Sequence, residues 1–347
     1  MPQELTSLAE LTKLPFDEII DVRSPREFAE DHIPGAVSLP ALYDDERAQI
    51  GTMYVQDDSF KARKIGAALV SRNVASHLEG PLSNREGGWR PLVYCWRGGQ
   101  RSGSVAMVLK QIGWRTDTIM GGYRQYRRLV VQALYHNPMP CRVVIIDGGT
   151  GTAKTHLLSH LADQGAQTLD LESLAKHRGS LFGSMIETQP SQKAFESSLA
   201  IAVTNFDAAK PIYVEAESSK IGQLIIPPTL WKAMIAAPSL RLTAPVAARA
   251  NHLITAYPDM IENKDKLCSA LQQLTRYHSR ELTHLWETLA HSGDYRSLAT
   301  QLIEAHYDPR YARISRGHAP KARVINLPDL DNNTLSKTAT SVLKMQL

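Results

Sequence analysis

The chain has 347 residues, enough for two domains with separate cores, and its hydrophobic and charged fractions of 43% and 21% exclude disorder on a large scale. A formal net charge of +4 permits a polyanionic partner without demanding one. No run approaches the roughly eighteen uninterrupted apolar residues of a transmembrane helix, and three scattered cysteines, Cys95, Cys141 and Cys268, argue against a disulfide framework.

The opening stretch MPQELTSLAELTKLPFDE has no apolar segment behind basic residues, so neither a signal peptide nor a membrane partner is expected. With reduced thiols, this gives a cytoplasmic protein. Ile19, Ile20 and Val22 read as a short buried strand. Ser24, Pro25 and Glu27 then form a helix start, with the serine as cap, proline at the first helical position and glutamate closing a capping box. His32-Ile33-Pro34-Gly35 ends that helix, and residues 36–39 begin another strand. Residues 43–80 read as mostly helical. Residues 89–94 form a strand that runs straight into a loop, YCWRGGQRS, and residues 102–112 form a helix closed by Gly113. Residues 116–120 are a strand, Gly121-Gly122 a turn, and 123–135 a basic helix. The segment HNPMP then reads as a linker. Strands alternating with helices predict a parallel sheet for residues 1–137.

The loop around Cys95 asks for anionic chemistry. A thiol is nucleophilic as its thiolate, and Arg97 and Arg101 are expected to favour the anion. Gly98 and Gly99 let successive N–H groups curl around a negative charge, and the following helix N-terminus adds to the positive potential.

The second domain, residues 138–347, restarts the pattern. Residues 142–146 (RVVII) are an apolar strand, and GGTGTAKT follows as a near match to the P-loop pattern. Gly149, Thr150, Gly151, Thr152, Ala153, Lys154 and Thr155 are therefore expected to hold a diphosphate, and Thr155 to reach Mg²⁺ if that ion is present. Ala153 stands where the pattern has glycine. If the position needs positive φ, it costs about 1–2 kcal/mol. The strand IYV ends in Glu215 instead of the aspartate usual in a nucleotide hydrolase, which points away from a conventional ATPase. Residues 247–305 are helical in character. His156 and His160 have ligand spacing on a helix, but no third ligand suggests itself and no C-x-x-C occurs, so no metal site is expected.

These features together carry a resemblance. The segment IIDVRSPREFAEDHIPGA with the later strand–Cys–loop–Arg–helix is similar to a rhodanese domain. The whole chain resembles the bacterial tRNA 2-selenouridine synthase family through CWRGGQRS (95–102), MGGYRQYR (120–127), GGTGTAKT (148–155), DLESLAKHRGSLFG (170–183), EAESSKIG (215–222) and YDPRY (307–311). The fold this implies is α/β: a rhodanese-like parallel sheet domain, then a P-loop NTPase-like α/β domain with a helical C-terminal part.

The resemblance implies an enzyme, a selenotransferase with geranyl transferase activity. It alkylates the sulfur of a 5-substituted 2-thiouridine in the tRNA anticodon loop with geranyl diphosphate, then installs selenium from selenophosphate. No permanently bound cofactor is implied, and a selenophosphate-producing enzyme is an expected partner. Cys95, Arg97 and Arg101 fall to the selenium step, and His177, Arg178 and Lys220 join the phosphate site because they lie in matched segments. Arg124, Arg127 and Arg128 on the basic helix, and Arg310 and Arg313 in the cluster that continues to Arg316, Lys321 and Arg323, are candidates for tRNA, with Tyr307 and Tyr311 as stacking residues. The alternatives are a rhodanese-type sulfurtransferase with a non-hydrolysing P-loop accessory domain, a binding module, and a cysteine phosphatase, although Tyr94 replaces the histidine usual before a phosphatase cysteine.

Overall fold

The computed structural model describes residues 2–180, 182–183, 185, 187–318 and 322–345, with the backbone alone at 314–318. The chain divides into one unit of Met1–Asn137 with Pro190–Asn205 and a second of Pro138–Gln189 with Phe206–Leu347.

The first unit is built on four parallel strands, β1 (Glu18–Asp21), β2 (Val37–Ser38), β3 (Pro91–Tyr94) and β4 (Asp117–Thr118), in the order β2-β1-β3-β4. Every residue of β3 is buried, as a central parallel strand covered on both faces requires. The first helix, α1 (Pro25–Glu30), starts at the expected capping box, where the Ser24 N–H donates to Glu27 Oε2 at 3.1 Å. The long helical run is two helices, α2 (Asp44–Gln56) and α3 (Ser59–Glu79). It breaks where Asp58 caps α3 by accepting from the Phe60 and Lys61 N–H groups. Helix α4 (Gln100–Ile112) closes on left-handed Gly113, and α5 (Gly122–Val131) passes into a π turn over Gln132–His136. Val93, Val74, Val105, Leu109, Trp89 and Trp114 lead the core between sheet and helices.

The second unit carries a five-stranded parallel sheet in the order β11-β10-β5-β7-β6. Its strands are β5 (Val143–Gly148), β6 (Gln167–Leu169), β7 (Ile212–Glu215), β10 (Ser239–Thr243) and β11 (Arg323–Asn326), and β8 (Lys220–Ile221) with β9 (Leu224–Ile225) make a small antiparallel pair. Apolar β5 is the centre strand and leads through the glycine-rich loop into α6 (Lys154–Asp163). A short helix, α7 (Leu171–Ala175), follows β6. Helices α9 (Pro228–Ala236) and α16 (Asn332–Leu343) also belong to this unit, the latter packing beside α6 in the sheet core. The stretch expected to be helical is α10 (Val246–Ala256), α11 (Pro258–Glu262), α12 (Lys264–Gln272), α13 (Arg280–Ser292) and α14 (Tyr295–Leu302), with α15 (Asp308–His318) after it. Trp286, Leu271, Leu274 and Ala290 are the fully buried centre of that helical part.

Helix α8 (Gln192–Thr204) departs from the division of the chain at residue 138. It lies in the second half of the sequence but groups with the first unit. A polar cluster holds it there. Asp31 Oδ2 accepts from Tyr123 Oη at 2.6 Å and from Ser197 Oγ at 2.9 Å, while Glu196 Oε1 accepts from Tyr135 Oη at 2.6 Å and from Gln192 Nε2 at 2.9 Å. Arg127 donates to Glu196 Oε2 and stands 3.9 Å from Asp31.

Candidate functional site

The cysteine loop begins where β3 ends. Tyr94 Oη donates to Asp21 Oδ2 at 2.7 Å and accepts the Ile33 N–H at 3.1 Å. Asp21 also pairs with Arg23 at 2.6 Å, and both side chains are buried. The guanidinium of Arg23 lies 3.9 Å from the Tyr123 ring centroid. The DVR segment is thus a buried strut beneath the loop, and Tyr94 is part of it, which explains a tyrosine before the cysteine.

Cys95 is buried at 3% exposure, and its Sγ accepts from the Gly99 N–H at 3.3 Å and Ser102 Oγ at 3.2 Å. Burial pushes the thiol up, but hydrogen bonds from the Ser102 hydroxyl and from the N–H groups of Ser102, Gly99 and Arg97 outweigh it, leaving the thiol below its ordinary value. The expected role of the arginine charges is therefore corrected. Arg101 donates to Glu27 at 2.9 Å, and Arg97 is exposed, so the loop backbone and Ser102 favour the thiolate.

The matched MGGYRQYR segment is explained here too. Gly122 has φ +55, and a Cβ on it would stand 2.2 Å from the Cys95 carbonyl oxygen. The Tyr123 N–H donates to that oxygen at 2.9 Å, and the Arg124 N–H to Trp96 O at 3.1 Å. Beside the loop is a cleft of ≈550 Å³ lined by Trp96, Arg124, Arg127, Arg128, His136 and Lys193, among others. Arg124 and Arg128 are exposed on it, while Arg127 is committed to Glu196 and Asp31. Trp96, which no spacing along the chain marks, has its ring 5.2 Å from that of Tyr123.

In the second unit, Thr150, Gly151, Thr152, Ala153, Lys154 and Thr155 line one wall of a cavity of ≈1300 Å³. Gly149 packs against Arg249 instead. Ala153 is left-handed, at φ 60 and ψ 34, the strained case anticipated from the sequence. Thr152 Oγ1 donates to Gly149 O at 2.8 Å, and Lys154 Nζ to Gly148 O at 3.2 Å. Arg249 ties the loop down from outside. Its Nε and Nη2 donate to Thr150 O at 2.9 and 2.8 Å, and its Nη1 and Nη2 to Asp308 at 2.9 and 2.7 Å. Asp308 belongs to the YDPRY segment, so Arg249 is the link between two matched motifs. No motif surrounds it, and the sequence carried no signal of its role.

His177, Arg178 and Lys220 line the same cavity. His177 Nδ1 accepts the Gly179 N–H at 3.1 Å, and burial together with the neighbouring Arg178 charge holds the ring below the usual histidine value. Arg178 pairs with Asp259 at 2.9 Å and lies over Tyr257, so its charge is already engaged. Lys220 is exposed at the rim. Gly179 has φ +66, and a Cβ there would stand 2.7 Å from both carboxylate oxygens of Glu217. That contact explains the glycine of the HRGS segment.

Three carboxylates, Glu172, Glu215 and Glu217, face the P-loop with ligand oxygens within 4.8 Å of one another. They lie in matched segments, but nothing along the chain joins them, because they come from α7, the end of β7 and the loop beyond. Burial and then mutual repulsion push Glu172 and Glu215 well up, and burial pushes Glu217 up while Lys154 pulls it back.

Of the C-terminal candidates, Arg310 lies over the Tyr277 ring at 4.5 Å and lines the cavity, and Arg313 is exposed. The side chain of Arg316 and all of Lys321 fall outside the described residues. Tyr307 does not offer a free stacking face. It packs in the helical core and walls a narrow apolar recess of ≈80 Å³ with Phe182, Leu253, Tyr257, Met260 and Leu298. Thr150, Leu253, Tyr257 and Tyr307 border both recess and cavity. The His156 and His252 rings meet edge to face at 4.8 Å. Cys95, Cys141 and Cys268 are free thiols, and among the described residues no helix is long and apolar enough to cross a membrane.

A cysteine loop on a rhodanese-type sheet and a P-loop on a second parallel sheet define a two-domain α/β protein. The rhodanese-like domain family matches residues 1–129, and the tRNA 2-selenouridine synthase AAA domain matches residues 141–290. The chain is 36% identical over 259 residues to the tRNA 2-selenouridine synthase of Aeromonas salmonicida (strain A449), covering 73% of this chain and 69% of that one. It is 35% identical to the protein of the same name from Nitrosomonas europaea, covering 69% and 63%, and 33% identical to that of Bdellovibrio bacteriovorus, covering 75% and 73%. The chain belongs to the tRNA 2-selenouridine synthase family.

Proposed function

We propose that this chain is a tRNA 2-selenouridine synthase, acting in the cytoplasm on the wobble 2-thiouridine of the anticodon loop. The uridine sulfur attacks the first carbon of geranyl diphosphate, and diphosphate leaves. The selenium of selenophosphate then adds to C2, the geranylthio group departs as the thiol, and water cleaves the Se–P bond, releasing phosphate and leaving 2-selenouridine. S-alkylation turns a poor leaving group into a better one, which is why the two steps belong together. An enzyme that makes selenophosphate is the expected partner.

One observation carries the reading. The P-loop wall and the apolar recess share Thr150, so a phosphate cradle and a hydrocarbon slot open side by side. A prenyl diphosphate has a head for one and a tail for the other. The recess has room for the end of the chain, and the rest lies in the larger cavity. A nucleotide hydrolase or a plain sulfurtransferase leaves that slot without a use. The diphosphate head falls to the loop N–H groups and Lys154, with His177 and Lys220 nearby. Cys95 is the group that meets selenium, because its surroundings favour the thiolate. Exposed Arg97 is assigned to anionic selenophosphate beside Cys95, and exposed Arg124, Arg128, Arg310 and Arg313 to RNA phosphates.

The test is mass spectrometry of wobble nucleosides after incubation with thiolated tRNA, geranyl diphosphate and selenophosphate. Selenouridine is expected with the native chain, geranylthiouridine alone with Cys95→Ala, and neither with Lys154→Ala. Undiminished geranyl transfer by Lys154→Ala overturns the assignment of the P-loop.

A further inference from the structure

A cavity built to hold an anion should not have three carboxylates in its wall, yet this one does. The ligand oxygens of Glu172, Glu215 and Glu217 lie within 4.8 Å of one another. Of the other acids of the cavity, Glu187 pairs with Lys176 at 2.5 Å and Asp259 with Arg178 at 2.9 Å, while Asp170 accepts the Ser173 N–H at 2.8 Å as the cap of α7 and adds to the negative charge felt by Glu172 and Glu215. Lys154 is the cation that acts on all three glutamates. At the cluster itself one ammonium meets three carboxyl groups, and burial, with the strong repulsion of like charges at such separations in a poorly hydrated site, is what pushes these acids up.

A second observation points to a ligand. Glu215 is 0% exposed and lines the cavity, and neither of its carboxylate oxygens has a hydrogen-bond partner in good geometry, the Thr155 hydroxyl being its one polar neighbour of opposite sense besides Lys154. Buried polar atoms are almost always satisfied, and an orphaned carboxylate calls for an ion or a group that completes it. The donors are all hard carboxylate oxygens, the set preferred by Mg²⁺ and Ca²⁺ over softer metals. Beside a phosphate cradle, Mg²⁺ is the better match, since it takes one or more carboxylates and fills its octahedron with phosphate oxygens and water.

We propose that Glu172, Glu215 and Glu217 form a divalent-cation site of the Mg²⁺ type in the wall of the P-loop cavity, completed by oxygens of the bound diphosphate. The cation would resolve the charge conflict of the cavity and satisfy Glu215. The metal site stands without the proposed function, whereas the diphosphate as its remaining ligand rests on that reading.

Mn²⁺ is the probe, with the full chain and without tRNA. Electron paramagnetic resonance follows the loss of the free Mn²⁺ signal as protein is added, with and without inorganic pyrophosphate, and Mg²⁺ is used in competition. One Mn²⁺ per chain is expected, displaced by Mg²⁺, with affinity raised at least tenfold by pyrophosphate. Glu217→Gln and Glu172→Gln, which keep side-chain shape, should each weaken Mn²⁺ at least tenfold, while Lys154→Ala should retain it. Near-ultraviolet circular dichroism identifies variants that hold the native packing. A free Mn²⁺ signal undiminished at millimolar protein overturns the proposal, as does equal binding by natively packed Glu172→Gln and Glu217→Gln variants. Mn²⁺ binding that pyrophosphate does not tighten keeps the cation site and overturns the diphosphate as its partner.

Discussion

Arg127 offers the sharpest separation between holding the fold and holding RNA. It lies on the basic helix that the sequence assigns to tRNA, but its guanidinium donates to Glu196 and stands 3.9 Å from Asp31. Those carboxylates are 3% and 2% exposed, and Arg127 itself 18%. Arg127→Met therefore leaves two buried carboxylates without their cation. Breaking a buried pair from one side costs about 3–5 kcal/mol, and the partial hydration of Arg127 puts the expected loss near the lower value, about 3 kcal/mol. For a unit of this size that is roughly 6–12 °C in Tm. The assay is thermal unfolding followed by tryptophan fluorescence, since Trp89, Trp96 and Trp114 all lie in the first unit. Exposed Arg124→Ala serves as the control and should stay within about 0.5 kcal/mol while weakening tRNA binding. Adding Glu196→Gln to Arg127→Met should cost less than the two single losses summed, because the second change removes the charge that the first strands. An Arg127→Met protein as stable as the native chain, weakened only toward tRNA, would refute this reasoning.

Other outcomes follow from particular residues. Ala153→Gly removes left-handed strain of about 1–2 kcal/mol but gives up a buried methyl of about 0.8 kcal/mol and adds unfolded-state freedom of about 0.4–1 kcal/mol. Stability in chemical denaturation should therefore move by less than about 1 kcal/mol, and a loss above about 2 kcal/mol would mean that Ala153 is not left-handed. Alkylation of Cys95 by iodoacetamide should titrate below an ordinary thiol, with Ser102→Ala moving the midpoint up and Arg101→Gln leaving it nearly unchanged; the reverse pattern would return the role to the arginine. His306 is held down to about 4 by burial and then by the Arg310 and His278 charges. The unfolded chain, titrating near the ordinary value of 6.5, then binds the proton that the native state refuses. Stability is full above that value and is lost as pH falls toward 4, by no more than about 2 kcal/mol from this residue. His306→Gln should flatten part of that acid limb in thermal scans, and an unchanged limb would remove His306 as its cause.

Much of this protein is legible along the chain, because its strongest signals are local. The capping box of Ser24 and Glu27, the apolar strand before GGTGTAKT and the glycine closing α4 each depend on residues within a few positions of one another. The P-loop wall of the cavity and the position of Cys95 at a strand end follow from the same kind of pattern. What escaped depends on contacts between distant residues. Helix α8 follows the second domain's P-loop in sequence, yet its partners Asp31, Arg127 and Tyr135 lie more than sixty positions before the residues they bind. Arg249 reaches Thr150 and Asp308 from a helix with no motif, and Gly122 is required by the backbone of a loop that precedes it.

The sequence by itself determined the alternation of strands and helices, the two loops and the residue types they contain, since backbone propensity and short spacing act within a turn or a strand. The tertiary structure alone decided which charges are free. It engaged Arg101, Arg127 and Arg178 in ion pairs and gathered Glu172, Glu215 and Glu217 around one cavity. The physical reason is that an ion pair or a shared cavity depends on distance and desolvation in space, and neither is written in the order of residues along the chain.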